Sequence, residues 1–239
     1  MLKSTAVALK IGCVFMNNGK LIVLEGLDGC GKSTQLELAG KYLEKLGVNS
    51  RTVSFPNYNS PSGQIISDYL AGKIPCGGEN GAYAASAFYA ADRYISYVTD
   101  WKQTYENGGI ILSGRYATSN AIYQMTKVPQ EKRTEFMNWL ADHEYNKLGL
   151  PQPDLVLFLD MPLEVSQKLL SKRYNGDESK KDIHEKNLEF MKNCRESAMT
   201  AAAHWGWKII NCSENGEPLP IETIHNKIAD EIKEMVEHG

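Results

Sequence analysis

Gly26-Leu27-Asp28-Gly29-Cys30-Gly31-Lys32-Ser33 is the stretch that decides the fold. It fits the pattern G-x-x-x-x-G-K-[ST], and its setting is the one that pattern needs: an apolar run of strand length, Lys20 to Glu25, leads in, and a segment of helical character, Lys32 to Leu46, leads out. The glycines let consecutive backbone N–H groups point into one concavity. The helix N-terminus adds partial positive charge, and Lys32 brings a full charge to the outer phosphates of a nucleoside triphosphate. Gly26 through Ser33, with Thr34 behind them, are therefore the expected triphosphate contacts, and the Ser33 hydroxyl is the expected protein oxygen on Mg2+. GTPases, ATPases, transporters and small-molecule kinases share such a cradle, so by itself it names no acceptor.

Outward from the cradle, further apolar runs recur at Arg51 to Phe55, Ile110 to Ser113, Asp154 to Asp160 and Trp207 to Asn211. Each is followed by a segment of helical character: Ala82 to Glu106, Gln130 to Lys147, Leu163 to Arg173, Glu185 to His204 and Pro220 to Glu237 lie between or after them. Strands alternating with helices predict an α/β fold of three layers, a five-stranded parallel sheet with helices on both faces. In the last helix, Ile221, Ile224, Ile228, Ile232 and Val236 recur at steps of three or four, a spacing that predicts one buried stripe. Tyr174 to Asp182 is polar, with Gly, Asp, Ser and Lys, the composition of a surface loop. No repeat, low-complexity tract or linker divides the chain, so residues 19–239 read as one domain. Residues 1–18 read as a dispensable extension, because Lys10 interrupts their short apolar stretch and no small-residue cleavage site follows.

The formal net charge of -3 gives no general pull toward DNA or anionic membranes, and any phosphate site must be local. A small phosphorylated ligand suits this balance better than a nucleic acid. The five cysteines are odd in number and form no C-x-x-C pair, which argues against a disulfide framework and a zinc site; they read as reduced thiols of a soluble, cytoplasmic protein. No run approaches the ~20 apolar residues that span a bilayer.

Four further stretches resemble those of thymidylate kinases, and the likeness extends from about Gly19 to the C-terminus. They are Leu24-Glu25-Gly26-Leu27-Asp28-Gly29, Phe55-Pro56, Tyr89-Ala90-Ala91-Asp92-Arg93 and Arg115-Tyr116-Ala117-Thr118-Ser119-Asn120-Ala121-Ile122-Tyr123-Gln124; Phe158 to Glu164 is similar as well. The resemblance implies the P-loop kinase fold and transfer of a phosphoryl group from ATP to dTMP, with Mg2+ as cofactor. It implies that Tyr89 stacks on thymine, Arg93 bonds its edge, and Phe55 and Pro56 wall the base pocket. Ser119 and Asn120 would make polar contacts to the pyrimidine, and Tyr123 would lie beneath the sugar and exclude a ribose 2'-hydroxyl. Arg115 would hold the acceptor phosphate with its guanidinium fork. Asp28 would face the 3'-hydroxyl and the metal hydration shell. Lys32, Arg115, Asp28 and Arg173 form the expected catalytic set. A lid at about residues 173–185 would bring Arg173, Lys180 and Lys181 over ATP, compensating for Cys30 at a P-loop position where part of the family carries arginine. A homodimer is implied on the same ground.

The chain departs from the family at Gly114-Arg115-Tyr116, where Asp-Arg-Tyr is usual, so a carboxylate near the metal is missing; Ser113 and Asp160 are the candidates to substitute through water. Two alternatives follow: a nucleoside monophosphate kinase of altered base preference, or a weakly active or inactive nucleotide-binding paralogue. The Cys30 thiol, at a helix N-terminus among amides, is expected to react with alkylating agents and to be protected by ATP.

Overall fold

The computed structural model describes residues 19–173 and 187–238. The extension 1–18 and most of the expected lid, with Lys180 and Lys181, fall outside the described residues, as does the side chain of Arg173.

β1 (Lys20–Gly26) is apolar without alternation because both its faces are covered: Leu21, Ile22, Val23 and Leu24 are fully buried. It leads through the cradle into α1 (Lys32–Lys45), then β2 (Ser50–Ser54), α2 (Pro61–Leu70) and α3 (Gly78–Ser96). α3 continues through a π-helical turn, Tyr97–Trp101, into α4 (Lys102–Glu106) and β3 (Ile110–Gly114). After α5 (Thr118–Tyr123), α6 (Arg133–Ala141) ends in a second π turn, Asp142–Lys147, before β4 (Leu155–Asp160). α7 (Leu163–Arg173), α8 (Leu188–Trp205), β5 (Lys208–Asn211), a small antiparallel pair of Ser213–Glu214 with Glu217–Pro218, and α9 (Ile221–His238) complete the described chain.

The five strands are all parallel, as the alternation predicts, and stand in the order β2-β3-β1-β4-β5. Leu21 and Val23 face a core with Trp101, Tyr116, Phe136 and Met191, whereas Ile22 and Leu24 face a second core with Ala39, Leu43, Ile228 and Ile232. Burying each such side chain is worth roughly 1.5–3 kcal/mol relative to exposure, so this one strand anchors both layers. The α9 stripe holds at its centre only. Ile224, Ile228 and Ile232 are buried, but Ile221 is 56% exposed and Val236 37%, so the stripe turns to solvent at both ends of the helix.

Register fixes where the site lies. Leu24 of β1 and Ser54 of β2 both stand opposite Gly114 of β3, so the segments leaving these three strands, Gly26 onward, Phe55 onward and Arg115 onward, emerge side by side at the carboxyl edge of the sheet. That edge is where parallel α/β sheets present ligands.

Candidate active site

The cradle closes around α1. Gly31 precedes the helix with φ 84°, a left-handed conformation that favours glycine, and no side chain caps the first-turn amides. Those N–H groups remain available for an anion. Lys32 folds back so that Nζ donates to Gly26 O at 3.3 Å. Burial, then the neighbouring Arg115 charge, lower the Lys32 pKa from its ordinary 10.5, against opposing contributions from Cys30, Asp28 and Glu25. The Cys30 expectation is corrected: its side chain is 2% exposed and packs in the core with Leu159 and Cys212. An alkylating agent has no approach to it in the folded protein.

Beside the cradle lies a cavity of about 380 Å³ lined by Asp28, Phe55, Pro56, Tyr89, Arg115, Ser119, Asn120 and Tyr123 among others. Eight of the nine residues assigned to the acceptor thus converge on one space within the range of small-ligand pockets. Phe55 and Pro56, joined by a cis peptide, leave the end of β2; the loop beyond them is clasped by buried Asp92, which accepts from Asn57 N at 2.8 Å, Ser60 Oγ at 3.0 Å and Ser62 Oγ at 2.7 Å. Tyr89 projects from α3, its ring edge-on to Tyr69 at 6.3 Å. Burial raises the pKa of both the Tyr89 and Tyr123 phenols, keeping them neutral donors.

Arg115 stands between the cavity and the cradle. Its Nη2 donates to Asp28 Oδ1 at 2.6 Å and its Nη1 to the Tyr123 hydroxyl at 3.0 Å, with the guanidinium carbon 4.9 Å from the Tyr123 ring centre. Burial opposes its charge, but Tyr123, Asp28 and Glu25 outweigh it and hold the pKa well above the ordinary arginine value. The arrangement can grip a second anion next to one held by α1.

Arg93 is the ninth residue and is corrected. It is 1% exposed and does not line the cavity; Nε donates to Glu144 Oε2 at 2.6 Å, Nη2 donates to Glu144 Oε1, and Nη1 reaches Tyr116 O at 3.4 Å. A buried guanidinium is tolerable only with such a partner, and Glu144, fully buried on the second π turn, supplies it. Glu144 also accepts from Asn120 Nδ2 at 3.3 Å, which leaves the Asn120 carbonyl oxygen for a ligand. Ser119 is likewise committed: its hydroxyl lies 2.9 Å from each oxygen of Glu25.

The candidates to replace the missing carboxylate are occupied as well. Ser113 Oγ donates to Arg115 O at 2.6 Å, and Asp160 is held in a two-pronged pair by Arg195 at 2.8 and 2.7 Å. At Gly114 an added Cβ would come within 2.8 Å of Leu36 Cδ2 and 3.2 Å of Ser54 Oγ, so Leu36 occupies the space into which a side chain at this position would project. Glu144, Tyr69 and Lys127 were not foreseen. Lys127 Nζ, on the cavity wall, donates to Tyr69 Oη and Gln124 Oε1, each at 2.8 Å. Its position four residues after Tyr123 was the available signal; nothing local in the sequence singled out Glu144.

The thymidylate kinase family profile matches residues 24–228, from the end of β1 into α9. The chain belongs to the thymidylate kinase family. Among similar thymidylate kinases, a probable one from Methanococcus maripaludis is 35% identical over 202 residues, covering 84% of this chain and 82% of that protein. The thymidylate kinase of Plasmodium falciparum is 30% identical, covering 91% of each. The fold resembles that of the thymidylate kinase from Candida albicans, with a TM-score of 0.69 at 21% identity over 93% of this chain and 94% of the other. No helix among the described residues is long and apolar enough to cross a membrane.

Proposed function

We propose that the chain transfers the terminal phosphoryl group of ATP to dTMP, giving dTDP and ADP for dTTP synthesis. The observation that carries this reading is the position of Arg115, which lines the acceptor cavity while bonded to Asp28 of the cradle. A monophosphate has a second pKa of about 6, so its attacking oxygen is already ionised at neutral pH and needs no strong general base. The obstacle is repulsion between two anions, and the residues act by holding them in line and neutralising them. In this reading the α1 amides and Lys32 hold the ATP phosphates, and Arg115 holds the dTMP phosphate. Asn120 accepts from the pyrimidine N3–H through its carbonyl oxygen, oriented by Glu144, which Arg93 fixes in turn. Tyr89 and Phe55 sandwich the ring. Tyr123 stands under the deoxyribose.

Mg2+ fits the donor set. It takes few protein oxygens and fills its shell with phosphate oxygens and water. Ser33 and Asp28 offer such oxygens, and among the described residues no group of three or more His, Cys, Asp or Glu forms an all-protein cage. When bound, it supplies further neutralisation of the transferring phosphoryl group. Arg173, Lys180 and Lys181 complete that neutralisation in this reading.

We also infer a homodimer working in the cytoplasm. Ala84, Ala87, Ala91, Tyr94, Ile95 and Val98 form an exposed apolar stripe along α3 and the π turn after it, with Tyr94, Ile95 and Val98 exposed by 42, 39 and 44%. A second copy is the covering such a stripe favours. The cysteines Cys30, Cys76, Cys194 and Cys212 are free thiols, which suits a reducing compartment.

A coupled ADP-release assay with dTMP, dUMP, CMP, UMP, AMP and GMP tests the reaction. dTMP is expected to give the highest kcat/KM; faster turnover of any other acceptor, or none with dTMP, defeats the reading.

A further inference from the structure

Glu25 is fully buried at the end of β1, one residue before the cradle begins, and has no task in the reaction described above. A carboxylate in such a place is costly unless its oxygens are satisfied. Its partners are Tyr116 N at 3.2 Å, Thr118 Oγ1 at 2.6 Å and the Ser119 hydroxyl at 2.9 Å from each oxygen. All belong to the segment just after Arg115.

Arg115 has φ 66°, in the left-handed region that non-glycine residues rarely adopt. Such a conformation persists where surrounding bonds overdetermine it. On the incoming side Arg115 N donates to Leu24 O at 3.0 Å and Ser113 Oγ to Arg115 O. On the outgoing side the bonds converge on Glu25. Because Glu25 is covalently continuous with the cradle, one side chain ties the loop that holds one nucleotide to the turn that aims the guanidinium at the other. Its charge also favours the protonated forms of both Lys32 and Arg115.

We propose that Glu25 is a positioning residue, which sets the Arg115 guanidinium against the cradle through Tyr116, Thr118 and Ser119 and so governs affinity for the acceptor phosphate without touching it. The proposal rests on the assignment of Arg115 to that phosphate. Glu25→Gln keeps the shape and one acceptor oxygen. It is expected to raise KM for dTMP about tenfold, a coupling of about 1.4 kcal/mol, while calorimetric Kd for ATP stays within about twofold. Thr118→Val, which removes one donor from the same buried cluster, is expected to shift KM for dTMP in the same direction by about threefold. In an Arg115→Ala background, Glu25→Gln is expected to add nothing to KM.

Three results overturn the proposal: an unchanged KM for dTMP in both variants, equal weakening of ATP and dTMP together with a lower Tm, or a full effect of Glu25→Gln without Arg115. The parent assignment is tested apart from it. If Arg115→Ala leaves KM for dTMP unchanged, the phosphate reading falls first; if it raises KM and Glu25→Gln does not, Glu25 alone is misassigned.

Discussion

A side chain that must reach between two nucleotides needs a backbone that turns sharply, and Arg115 supplies the turn with a left-handed φ rather than with a glycine. Truncation to alanine leaves that backbone and its bonds to Leu24 and Ser113 in place, and Asp28, 28% exposed, is hydrated instead. Arg115→Ala is therefore expected to lower kcat with dTMP about 100-fold or more, the scale of losing a charge-stabilising donor. Stability is expected to change by only about 1 kcal/mol. Turnover and thermal melts measured on the same preparation check the contrast. Lys32 gives a pH dependence. Its pKa in the folded protein lies below 10.5, so ATP affinity should fall as pH rises through that lowered value, before a free lysine would deprotonate. Across the window between the lowered value and 10.5 the unfolded chain binds more protons, so this group makes stability rise with pH while binding declines. Calorimetry of ATP binding against pH reads the first effect, and no loss below pH 10.5 contradicts it. At this scale the grouping was largely legible: Phe55, Pro56, Tyr89, Asn120 and Tyr123, drawn from separate motifs, line one cavity. Arg93 was misread because its partner, Glu144, is 51 residues away and no local pattern marks it.

The Arg93 and Glu144 pair joins α3 to the π turn after α6, and both side chains are essentially out of water, at 2% and 0% exposure. Removing one member strands the other. Glu144→Ala is expected to cost about 3–5 kcal/mol. For a chain of this length that is a fall of roughly 10 °C in Tm, to be read by calorimetry, with KM for dTMP rising as Asn120 loses its orientation. The helical segment read over Gln130 to Lys147 is present, but the π turn that presents Glu144 hides which of its side chains turn inward. A π turn closes i to i+5 bonds, so it shifts every later side chain relative to the 3.6 period from which faces are deduced. α5 escaped notice for another reason. Six residues beginning Thr-Ser-Asn are too short for periodicity and read as loop, and what makes them helical is Glu25, a distant acceptor for their first hydroxyls. α2 begins at Ser60-Pro61, a pair that reads as a turn, although Ser60 accepts from Gly63 N and caps the helix.

For the whole molecule, a five-stranded parallel sheet could be expected because parallel strands buried on both faces need apolar runs separated by helices, and the sequence has both; the strand order could not. The exposed stripe on α3 could not be weighed from sequence, since small and apolar residues at helical spacing look the same in a core and at an interface. Val98→Asp places a charge at its C-terminal end, at a position 44% exposed in the single chain, so folding should be unaffected. Gel filtration with light scattering is expected to show a shift from dimer to monomer; an unchanged mass means that the subunits meet elsewhere. The inward-facing Cys30 has a consequence for the life of the protein in a cell under oxidative stress. Burial pushes the Cys212 thiol up to about 12 and raises Cys194 too, and Cys30 is shut in the core, so of the described cysteines Cys76, before α3, meets peroxide first. Damage would be written on the rim of the molecule, and the loop that handles phosphate would go on working behind an intact hydrocarbon wall.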